Sequence, residues 1–210
     1  MISNIGSIVV SLPSSSSFPS PSALSPPTSD SVTATQVRLL SLSNTISRLL
    51  VGPLADFVSP VASYLPCGTI YFARKHHISR VAFIFAASAL LVFTFVWMMI
   101  GISSREMLWA LSIGTGIAYG GFFTALPGIV SGVWGLPNLG RNFGVITYAP
   151  FIGTPIFSYL YAFIADAHSN KTGVCIGTTC WRLTFGIAAL SATLSMILSA
   201  ALWRRWKGRV

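Results

Sequence analysis

Charge is what this sequence has least of. Charged residues make up 8% of its 210 positions, as 13 Lys or Arg against 4 Asp or Glu. A soluble domain carries about 25%. So few charges cannot cover a globular surface, which excludes an ordinary soluble enzyme and a disordered regulator. The formal net charge of +9 would suit nucleic acid only if Lys and Arg clustered on one wetted face, and lipid is the better solvent for so apolar a chain. There are 3 cysteines, and no Cys/His spacing reads as a zinc site. No Ser/His/Asp triad or paired carboxylates appear, so the residues point to no catalytic group, metal or cofactor. His76 and His77 read as a solvated part of a basic loop, and His168 as a surface residue.

What is abundant is apolar surface: 53% of the residues are hydrophobic. A bilayer core of about 30 Å needs roughly 20 mostly apolar helical residues. Five stretches meet this, at 36–58, 80–102, 107–131, 142–165 and 182–203. Together they predict an all-α, polytopic membrane helix bundle over 36–203, whose first partner is the lipid bilayer. Ahead of it, residues 1–12 are apolar but too short to span, and they lack the basic start of a secretory signal. Between Ser11 and Ser31 lie 10 Ser and 5 Pro. That composition cannot offset its own ordering entropy, so 13–35 is expected to be a flexible loop, lumenal in the orientation below.

Basic residues favour cytoplasmic loops. Arg74, Lys75, Arg80, Arg141, Arg204, Arg205, Lys207 and Arg209 would share one side with Asp56. The other side would hold Arg38, Arg105, Lys171 and Arg182 with Asp30, Glu106 and Asp166. The excess puts the C-terminus, with its basic 204–210 tail, in the cytoplasm, and Trp203 and Trp206 at an interfacial belt. The opposite loop carries an Asn170-Lys171-Thr172 glycosylation sequon and Cys175 and Cys180. Both suit an oxidising, lumenal compartment. A Cys175–Cys180 disulfide and two free thiols remain alternatives, and Cys67 is expected to be a free cytoplasmic thiol. Five spans put the termini on opposite sides. With 1–12 counted as the remnant of a sixth transmembrane helix, the pattern becomes six helices with the first cut short. A genuine lumenal tail is the alternative.

Arg48 is the charge expected deepest in the bilayer. Such a residue costs about 2.5–3.5 kcal/mol on insertion scales and turns toward a bundle interior or an aqueous cavity. It could contact an anionic solute or act in gating, or it could pair with a carboxylate elsewhere. Asn44 lies four residues earlier, on the same helical face. Pro53 should kink the helix end. Asp56 follows at the interface, where it can pair with an arginine or meet a helix N-terminus, or simply be solvated. Gly116 and Gly120, and Gly128 and Gly132, have the four-residue spacing that allows close helix approach. Tyr119 and Thr124 are further polar candidates for a solute cavity. Pro150 and Pro155 flank Gly153 in the next span, where they could permit bending or merely shape the helix.

The stretch SLSNTISRLLVGPLADFVSP resembles the eighth helix and following loop of major facilitator superfamily transporters, with G-P-L-A-D echoing their loop motif. The basic cluster that should follow is delayed to ARKHHISR. The block YGGFFTALPGIVSGVWGLPNLGRNFGVITYAPFIGTPIFSYLYA resembles helices ten and eleven of the nodulin-like branch, and more narrowly the fungal monocarboxylate-permease homologues. ISNIGSIV is similar to the end of the seventh helix there. The resemblance covers most of the chain, as the C-terminal six-helix half of a twelve-helix carrier with its first helix truncated. It implies a rocker-switch transporter of a small solute, an organic anion being the candidate class. Arg48 would be a cavity or gating residue and Gly52 and Asp56 the conformational loop motif. The vacuolar membrane is the implied location, with the plasma membrane as alternative. The N-terminal half, with half the cavity, would be a missing partner. A non-transporting membrane fragment or interaction subunit is the competing function.

Overall fold

In the computed structural model the described residues are 5–12, 29–59, 63–64, 70–71, 78–102, 105–169 and 177–206. They form six α-helices: α1 Ile5–Ser11, α2 Ser29–Val58, α3 Val81–Ile100, α4 Trp109–Trp134, α5 Leu139–Ala167 and α6 Thr179–Arg205. Between α2 and α3, Ser63–Tyr64 (β1) pairs antiparallel with Ile70–Tyr71 (β2). One 3-10 turn, Arg105–Leu108, leads into α4, and a second, Leu136–Asn138, joins α4 to α5. Gly135 ends α4 at φ 77°, a left-handed conformation that glycine adopts without steric cost.

Four helices, α3 to α6, are long and apolar enough to cross a membrane; α5 is reckoned there together with the 3-10 turn before it. The chain is thus an integral multi-pass membrane protein. The fifth expected span, α2, has 30 residues, and so measures about 45 Å at 1.5 Å per residue. It falls short in apolarity because Ser, Thr, Asn and four charged residues interrupt it, and two of its polar groups find partners on α4. Ser47 Oγ donates to the Ile117 carbonyl at 2.8 Å, and Ser112 Oγ donates to Gln36 Oε1 at 2.8 Å.

The loop expected over 13–35 needs a correction at its end, since residues 29–35 are already helical. No Pro or Gly separates Pro27 from Gly52, so nothing in the backbone stops the helix at 36. The polar side chains are accommodated within it: Thr35 Oγ1 donates to the Ser31 carbonyl at 2.9 Å. At the chain's start, α1 has seven residues. Its Ile5, Ile8 and Val9, with Leu12, are buried at relative exposures of 5% or less.

Two clusters mark the ends of the bundle. At one, α1 and Leu12 pack with Met98, Leu108, Leu111, Tyr161, Trp181 and Phe185. The finish of α3 and α5 and the start of α4 and α6 therefore lie together. At the other, Val81 and Ile129 pack with Ile84, Val133, Leu202, Trp203 and Trp206, which joins the start of α3 to the finish of α4 and α6. Successive helices thus run in alternating directions, as repeated membrane crossings require. The main helix contacts are α2 with α4 and α3 with α6 and α4, while of the five long helices α5 touches its neighbours least. Only Tyr161 and Ile164 of α5 are buried.

Candidate functional site

Two separate places gather the polar and small residues that the sequence singles out. The first is the seam between α2 and α4. Gly116 and Gly120 sit against α2 so closely that a Cβ added at either would reach its backbone, 2.7 Å from the Leu40 carbonyl and 2.7 Å from the Asn44 carbonyl. Small residues four apart let two helix backbones meet in this way. The contact holds Asn44 half-buried, and its Oδ1 accepts a hydrogen bond from Arg48 Nε at 3.1 Å. Arg48 itself is exposed, turned from the seam along the uncovered side of α2. The one ion pair among the described residues is Arg80 with Asp56, so Arg48 faces no carboxylate there. Thr124 donates to the Gly120 carbonyl at 2.7 Å, and a Cβ at Gly52 would lie 3.6 Å from its methyl group.

The cytoplasmic-motif acid expected at Asp56 is 69% exposed, and its partner Arg80 is only 8% exposed at the side chain. Arg80 also donates from Nε to the Ser59 carbonyl at 2.9 Å. Its guanidinium lies where a Cβ of Gly128 would be. One arginine just ahead of α3 thus ties together the end of α2 and the glycine face of α4. Sequence reasoning counted Arg80 among the loop cations that set orientation and missed this role. Nothing local marks it out from Arg74 and Lys75, because its burial depends on a glycine 48 positions later.

The second place is a cavity of about 480 Å³ between α3, α4, α5 and α6, lined also by Ile5. Tyr119 lines it, and its ring packs at a tilt of 41° against Phe123, with centroids 4.5 Å apart. Asn44, Arg48 and Thr124 do not line it. The structure therefore divides the four solute candidates, with Tyr119 in the cavity and the others along α2 and the α2–α4 seam. Ser88, Thr115, Thr154, Ser191 and Ser195 also line the cavity. Ser88 and Ser195 approach one another at 3.4 Å, linking α3 to α6. Among the described residues no Lys, Arg, Asp, Glu or His lines the cavity, and none of them form a group of three or more His, Cys, Asp or Glu that could hold a metal.

Gly132 lies half-buried near the end of α4. Cys180 opens α6, 1% exposed, and is disulfide-bonded. Its partner lies outside the described residues, as do Cys67, the expected bonding residue Cys175 and the sequon residue Asn170. Near that end Trp181 Nε1 and Thr184 Oγ1 are buried without a hydrogen-bond partner.

Residues 37–208 match the family model described as NFD4, C-terminal domain. Similar proteins include three fungal ones, each named a probable transporter MCH1. The Aspergillus fumigatus protein is 27% identical over 225 residues, covering 99% of this chain and 36% of that protein. For Debaryomyces hansenii the values are 32% over 177 residues, 84% and 32%. For Saccharomyces cerevisiae they are 29% over 170 residues, 80% and 32%. The chain thus spans about a third of the length of these relatives. No solved structure matches it.

Proposed function

Because the chain belongs to the family of the NFD4 C-terminal domain, we propose that it is the solute-contacting part of a secondary carrier of the major facilitator type. It moves a small solute across a membrane by alternating access between two helical halves. The relatives' names make the family one of probable transporters and point away from an enzyme. The observation that carries the proposal is Arg48. It is an exposed cation within α2, held by Asn44 at 3.1 Å and facing no described carboxylate. A charge at membrane depth turns toward a water-filled path or a counter-ion. An unneutralised guanidinium presents a planar fork that suits a carboxylate or similar anion. The solute class is therefore a small organic anion, and the second half of the path comes from the remaining length of a relative-sized protein. The vacuolar membrane is the proposed location, with the C-terminus cytoplasmic.

Uptake into vesicles by a protein of the relatives' length carrying this chain tests the reading. Arg48→Ala should abolish uptake with membrane abundance unchanged, and Arg48→Lys should keep part of it. Undiminished uptake by Arg48→Ala removes Arg48 from the path. The uncovered length of α5 favours a second reading, an interaction subunit without transport. It stands only if no solute moves when this chain is present at the relatives' length.

A further inference from the structure

Every exposed residue of α3 is apolar: Ala86, Phe93, Val96, Trp97 and Ile100. A helix facing lipid needs such a surface, because charged side chains within the membrane turn to an interior or to water. The uncovered side of α2 is different. Arg38, Ser41, Thr45 and Arg48 are all exposed there. Their spacing of three, four and three residues holds them within an arc of about 80° at 3.6 residues per turn. On the covered side, Gln36 and Ser47 are already engaged by α4, so this stripe is separate from the seam.

Contacts with α4 give the stripe its depth. Gln36 accepts from Ser112 at 2.8 Å, which sets Arg38 near the start of α4. Asn44 and Gly52 face Gly120 and Thr124, so Arg48, between them, stands about half-way along α4 (Trp109–Trp134). Ten helical residues separate the two arginines, a rise of about 15 Å. That is too far for both to hold one small carboxylate together, so an anion meets them in turn. Neither has a carboxylate partner among the described residues, and the stripe's next charge, Asp56, is taken by Arg80. Cations left unneutralised along a narrow wetted path raise the local concentration of anions and speed their capture. We infer, on the reading of Arg48 given above, that Arg38 is a first anion station at the end of α2 away from Asp56. From it a small organic anion passes along Ser41 and Thr45 to Arg48.

Two measurements on a protein of the relatives' length carrying this chain, in lipid vesicles, test this. In uptake of labelled acetate, lactate and succinate as probe anions, Arg38→Gln should raise KM about fivefold with kcat unchanged. Arg38→Lys, which keeps the charge, should stay within about twofold of the parent. Ser41→Cys in the Cys67→Ser background, which keeps Cys175 and Cys180, reports the charge in the stripe. Its reaction with an anionic sulfonatoethyl methanethiosulfonate, measured above the background alone, is compared with that of a cationic trimethylammonioethyl one. Arg38→Gln should lower the anion-to-cation rate ratio about tenfold at low salt. The difference should vanish at about 1 M salt, where the screening length falls to ~3 Å. A role confined to packing would slow or speed both reagents alike and would persist in salt. A KM unmoved by Arg38→Gln, a change of ratio that survives high salt, or a Ser41→Cys that neither reagent reaches overturns the inference, the last because lipid then covers the stripe. Undiminished uptake by Arg48→Ala overturns the reading of Arg48 as well, whereas lost uptake there with an unmoved KM for Arg38→Gln overturns the Arg38 station alone.

Discussion

Arg80 shows how one side chain can hold three segments. It reaches Asp56, the Ser59 carbonyl and the space above Gly128 at once. These contacts differ in worth. Asp56 is 69% exposed, so its ion pair is screened and contributes about 0–1 kcal/mol. The bond to Ser59 is buried and made by a charged donor, worth roughly 1.5–3 kcal/mol. Arg80→Ala should therefore lower the unfolding midpoint of the purified protein more than Asp56→Asn does. An equal fall in both would mean that the ion pair, not the carbonyl bond, carries the clamp. Gly128 belongs to the same unit, because a Cβ there would occupy the position of the guanidinium. Gly128→Ala should expel Arg80 and cost about as much as Arg80→Ala. Contacting residues that act as one unit are non-additive, so the double variant should be little worse than either single one. Full additivity in thermal unfolding would separate the two residues.

At the scale of elements, the α2–α4 seam and the free face of α5 make opposite demands on glycine. Gly120 lets the Asn44 carbonyl approach to 2.7 Å of where a Cβ would be. The neighbour there is backbone and cannot swing aside. Gly120→Ala should push α2 outward, at the 1–3 kcal/mol or so typical of overpacking, and weaken the Ser47–Ile117 bond with it. Gly144 in α5 has nothing within 4 Å, so Gly144→Ala should gain about 0.5–1 kcal/mol from helix propensity. The two variants should shift the melting temperature in opposite directions. A loss at Gly144 would show that α5 packs against something there. This contrast also separates what could be read from the sequence from what could not. The long apolar runs of α3 to α6 showed themselves because length and hydropathy are local properties. The early start of α2 at Ser29 did not, because Ser and Thr look like loop residues until their hydroxyls close on the turn before. The burial of Arg80 and the cavity beside Tyr119 are products of tertiary packing, and no local pattern announces either. Arg48 was legible as a charge within an apolar run, whereas its exposure along α2 needed the fold.

For the whole molecule, the alternating helices sort the charges between two ends. Arg80 stands with the finish of α2, α4 and α6 at one end, where Arg204 and Arg205 close α6. Asp166 and Arg182 stand at the other, near the buried and disulfide-bonded Cys180. Two arguments support the proposed orientation. The basic residues favour the cytoplasm for the first end. A disulfide persists in an oxidising compartment, which favours the lumen for the second. Impermeant labelling tests the proposed orientation. In intact vacuoles carrying cysteine variants in the Cys67→Ser background, which keeps Cys175 and Cys180, Arg205→Cys should raise reaction with a membrane-impermeant maleimide from outside above the level of that background alone. Asp166→Cys should react only after permeabilisation, and Asn170→Gln should remove any glycan-dependent mobility shift, because the sequon would share the lumenal side. Labelling of Asp166→Cys in intact vacuoles, with Arg205→Cys protected, would reverse the orientation and place the Arg80–Asp56 clamp on the lumenal face.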